Sequence, residues 1–108
     1  MVVGEDGRVT GTIGGGNLEY QATLLGQKLL TEKKNYLHEY NLGQEKSAEL
    51  GMACGGNATV LFYFVDVRED AVWIRQMEEA EKKREAFWIL MPLEEGKIKI
   101  LPEFQTFL

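Results

Sequence analysis

The chain has 108 residues, 44% hydrophobic and 27% charged, with a formal net charge of -5. That length and make-up predict one globular domain over 1–108, and acids scattered among bases leave no electrostatic footprint for nucleic acid or an acidic membrane surface. A single cysteine excludes an internal disulfide framework and no stretch is long and apolar enough to span a bilayer, so the expected compartment is cytoplasmic.

In chain order, Met1 to Val3 and Arg8 to Ile13 are short β-prone runs on either side of Glu5-Asp6-Gly7, where an Asp-Gly step predicts a hairpin turn. Gly14-Gly15-Gly16 leads into a helical pattern with Leu18, Ala22, Leu25 and Leu29 on one face. Asn17 is read as its cap, with Glu19 in the first turn suiting the helix dipole. Gly26 lies inside this helix at a cost of about 1 kcal/mol relative to alanine, and either permits close packing or weakens the segment. Tyr36, His38 and Tyr40 alternate with Leu37, Glu39 and Asn41, the pattern of a half-exposed strand.

Ala58 to Val67 is rich in Val, Leu, Phe and Tyr without clean alternation, which predicts a strand covered on both faces at the centre of the sheet. From Ala71 to about Arg84, Trp73, Met77 and Ala80 follow helical spacing; Ala86 to Met91 reads as another buried strand. Pro92 and Glu95-Gly96 end it and turn the chain into Lys97 to Leu101. The sum is an α/β fold: a single mixed-sheet domain of about five strands with two main helices. Phe104 to Leu108 is apolar enough to require cover from the core or another chain.

Nine of the 12 glycines fall in two windows, Gly4 to Gly16 and Gly51 to Gly56. Glycine lets a ligand approach the backbone, and three in a row before a helix turn amide N–H groups outward, where an anion can be held. The spacing lacks the lysine of a Walker motif, and a dinucleotide fingerprint would need glycine where Glu19 stands. The plain alternative is a pair of turns that need glycine for their backbone angles. Cys54, followed by Gly55-Gly56, is either a small buried hydrophobe or a reachable thiol of lowered pKa. His38 and Cys54 fall short of a coordination set, and His38 reads as an edge or surface residue. Glu19 is the acid best placed for a role, beside its reading as a helix-start charge. The two loops, GTIGGGNLE and LGMACGG, are expected to form one ligand-handling site around Cys54.

Two segments in order, DGRVTGTIGGGNLE from Asp6 to Glu19 and LGMACGG from Leu50 to Gly56, followed by the apolar run Thr59 to Val65, resemble the amino-terminal domain of the xanthine dehydrogenase accessory factor (XdhC/CoxI) family. From Ala71 onward the likeness is one of general pattern only. The resemblance implies an accessory factor, in preference to an enzyme, that binds molybdenum cofactor (molybdopterin) and assists its sulfuration or insertion into a xanthine dehydrogenase-type molybdenum hydroxylase. It implies cofactor-binding roles for Gly14, Gly15, Gly16, Glu19, Cys54, Gly55 and Gly56, with Cys54 also toward the metal. The implied partners are the hydroxylase apoenzyme and a sulfurase. Family members commonly carry a segment with a Ser-Pro-Arg type motif ahead of the position of Met1, and continue into a Rossmann domain. Neither is in this sequence, so a homodimer, or a complex with a separate Rossmann-domain subunit, is expected. Two other readings stand beside this one: a redox or transfer enzyme using Cys54, and a structural subunit with no ligand.

Overall fold

A computed structural model describes residues 1–41 and 56–103. It is a mixed α/β structure in two compact units, Met1–Phe64 and Val65–Leu108. Among the described residues there are two long helices and six strands, the strands paired as three two-stranded antiparallel sheets.

The first unit opens with the hairpin that the Asp-Gly step predicts. Strands β1 (Val2–Val3) and β2 (Val9–Thr10) pair Val2 with Thr10 and Val3 with Val9. Gly7 N–H donates to the Gly4 carbonyl at 3.0 Å, and Gly7 takes φ 79°, a value open to glycine at little cost. The Asp6 carboxylate accepts Arg8 N–H at 2.9 Å and fixes the return strand.

Helix α1 (Gly16–Glu32) buries Leu18, Ala22 and Leu29, three of the four residues that the sequence places on one face. Its cap is Gly15 and not Asn17, which lies within the first turn. The reason is that three successive positive-φ residues carry the chain straight into the helix, which leaves the expected capping residue already inside. Gly26 faces β1: a Cβ there would lie 3.4 Å from Val3 Cγ2, an ordinary contact distance, so the packing of hairpin and helix does not itself require glycine. The helix stops at Lys33 (φ 56°), where Lys33 N–H reaches the Leu30 carbonyl and Lys34 N–H the Leu29 carbonyl, both at 3.3 Å.

Strand β3 (Tyr36–Asn41) pairs along its whole length with β4 (Asn57–Phe62), from Tyr36 opposite Phe62 to Asn41 opposite Asn57. Asn35 Oδ1 accepts Phe64 N–H at 2.7 Å and closes the open end of the ladder. The expected central strand is shorter and less covered than its composition implies. Among the described residues β4 has β3 as its one strand neighbour, and Asn57 and Thr59 are exposed. The extended run stops because Asp66 Oδ1 takes the N–H groups of Arg68 (2.8 Å) and Glu69 (3.3 Å), a local turn that competes with a strand ladder. Those two amides hold the Asp66 carboxyl below its ordinary value.

The second unit is organised by that turn. Asp70, fully buried, accepts Asp66 N–H on Oδ2 and the Trp73 indole N–H on Oδ1, both at 2.8 Å. Helix α2 (Ala71–Lys82) follows and ends like α1: Arg84, at φ 56°, donates to the Glu81 carbonyl at 3.0 Å and Glu85 to the Ala80 carbonyl at 2.9 Å. Strands β5 (Phe87–Leu90) and β6 (Lys99–Pro102) form the third ribbon, with Ile89 opposite Ile100. Ile98, just before β6, is buried, and Lys97 pairs with Glu69 at 3.0 Å. The expected burial of β5 is corrected: Trp88, Ile89 and Leu90 are 52%, 47% and 40% exposed. An uninterrupted apolar run marks a strand that something covers, yet in this unit a single partner strand leaves both of its faces partly open.

No single five-stranded sheet is present among the described residues. Each strand pairs with its nearest neighbour in sequence, and apolar patterning alone does not distinguish such local ribbons from strands merged into one sheet.

Candidate functional site

The first glycine window lies where β2 hands over to α1. Gly14, Gly15 and Gly16 have φ of 123°, 77° and 67°. Gly15, with ψ -167°, occupies a region essentially closed to residues bearing a Cβ. A Cβ built at Gly14 or Gly15 would meet nothing within 4 Å. Backbone conformation, not crowding by the chain, therefore requires glycine at Gly15, and the backbone here is open to an approaching molecule.

Glu19, in the first turn of α1, turns its carboxylate back onto this loop. Its Oε1 accepts Ile13 N–H at 3.0 Å, and the Thr12 hydroxyl and Gly15 amide favour its charged form. The Thr12 hydroxyl first, then the Ile13 amide, hold the Glu19 carboxyl below its ordinary value against a smaller opposing effect of burial. Thr12 Oγ1 in turn accepts Gly14 N–H at 3.0 Å, so the hydroxyl and the carboxylate each take one amide of the loop. The carboxylate that the sequence marks as a candidate contact is thus bonded to one of the loop's own amides. Its negative charge also lies at the positive end of the helix.

The structure brings Gly14, Gly15, Gly16 and Glu19 together at this junction. Gly56 stands just before β4 at φ 124° with nothing within 4 Å of a would-be Cβ. Cys54 and Gly55 lie outside the described residues. Among the described residues no group of three or more His, Cys, Asp or Glu is placed to hold a metal ion, and no helix is long and apolar enough to cross a membrane.

His38 is half-buried between two tyrosines on one face of β3, its ring 5.5 Å from that of Tyr36 and 4.5 Å, edge-on, from that of Tyr40. Burial raises the Tyr40 pKa, and its buried hydroxyl has no hydrogen-bond partner among the described residues. Alternation along β3 foretold the shared face; nothing in the sequence marked Tyr40 for a buried hydroxyl. Sequence alone did not point to the network of Asp66, Asp70 and Trp73, although an aspartate immediately before a helical pattern is a recognised helix-start signal.

Residues 10–19 therefore define a strand-to-helix junction of glycines, open on its backbone side and clamped by the helix's own carboxylate. The model of the XdhC and CoxI family matches residues 1–41, the hairpin, this junction, α1 and β3, and so agrees with the resemblance carried by DGRVTGTIGGGNLE. The LGMACGG segment lies beyond the matched residues. No curated protein and no solved structure matches the chain.

Proposed function

We propose that this chain is an accessory protein that binds molybdenum cofactor and assists its sulfuration or its insertion into a xanthine dehydrogenase-type molybdenum hydroxylase. The observation that carries the reading is the coincidence of the family match over residues 1–41 with an open, glycine-built junction at the start of α1. The match supports a part in molybdenum hydroxylase maturation; cofactor binding is the finer step added here.

The residues suit the group sterically, because the backbone at Gly14 and Gly15 carries no Cβ and has no neighbour where one would stand. A pterin phosphate is an oxyanion suited to backbone amides at a helix start. In this reading Gly14, Gly15 and Gly16 are backbone contacts. Glu19 orders the loop through Ile13 and Gly15, and its charge limits how closely a phosphate approaches the same amides. The resemblance adds Cys54, Gly55 and Gly56 as proposed contacts, with the Cys54 thiol as the proposed ligand toward the metal. When bound, the cofactor supplies a dithiolene-held metal whose sulfur ligand is exchangeable. The hydroxylase apoenzyme and a sulfurase are the corresponding partners.

The test is mass spectrometry and metal analysis of the chain purified from a molybdenum-replete host, beside Cys54→Ser. Pterin and molybdenum in the parent, with sharp loss in the variant at unchanged circular dichroism, is the expected result. A parent free of pterin refutes the reading, and equal contents in both proteins remove Cys54 from it.

A further inference from the structure

We draw no further inference here: the strongest candidate, the groove of the second unit between α2 and the β5–β6 ribbon, lined by Lys83 and Arg84 as well as Glu79, Glu85 and Glu103, carries nothing because these opposed charges select no ligand and nothing in the structure shows what covers it.

Discussion

The backbone N–H of Ile13 donates to Oε1 of Glu19 at 3.0 Å, across six residues that include all three glycines of the junction. One carboxylate thereby ties the last residue before the glycines to the first turn of α1, and it does so as an anion.

Because the Glu19 pKa is lowered on folding from the ordinary 4.5, its stabilising effect is complete above that value and is lost as pH falls through the lowered one. The Thr12 hydroxyl, the amides of Ile13 and Gly15 and the amino terminus all favour the charged form. The amide resonances of Ile13 and Gly15 should therefore move together in an acid titration and their hydrogen exchange should accelerate below the transition. Glu19→Gln should abolish that transition in both resonances. Ile13 and Gly15 amide shifts that are the same in Glu19→Gln as in the parent at neutral pH would contradict the clamp.

Gly15→Val should cost about 1–3 kcal/mol of stability, because φ 77° with ψ -167° is essentially reserved for glycine. Asparagine, which tolerates ordinary left-handed positions, should not rescue it. The new side chain would project into open space and not into the chain, so pterin retention should fall further than stability does. Urea denaturation alongside pterin content separates the two effects. A folded Gly15→Val protein that retains pterin normally would reduce the loop to a turn.

Asp70→Ala should destabilise the second unit by about 1–3 kcal/mol, since it strips acceptors from the part-buried Asp66 amide and Trp73 indole. Asp70→Asn keeps one oxygen and should lose less. Tryptophan fluorescence during urea unfolding reports the change directly. A loss under about 0.5 kcal/mol would mean that neither bond matters to the fold.

Gly26→Ala should stabilise the chain by about 0.5–1 kcal/mol. A Cβ there lies at ordinary contact distance from the Val3 side chain, and alanine gains the helix propensity that glycine forgoes. Thermal unfolding at neutral pH gives the sign. A lowered midpoint would show that helix and hairpin are too close for even one methyl group.

The sequence by itself determined the elements and the position of the glycine junction. The Asp-Gly turn, the helical faces of 16–32 and 71–82 and the alternation of Tyr36, His38 and Tyr40 depend on local backbone preference and on side-chain period, both of which are written along the chain. The amino-terminal motif was equally legible, and the match over residues 1–41 agrees with it. Only the tertiary structure decided how strands combine: an apolar run says that a strand wants cover, not which strand supplies it, so β4 and β5 were expected inside one sheet and are members of separate ribbons. It also decided that Glu19 folds back onto Ile13 and Gly15, and that Asp70 is buried against Trp73. A carboxylate beside a helix start has many possible partners in sequence, and its burial, angle and distance to each are fixed only once the backbone has turned.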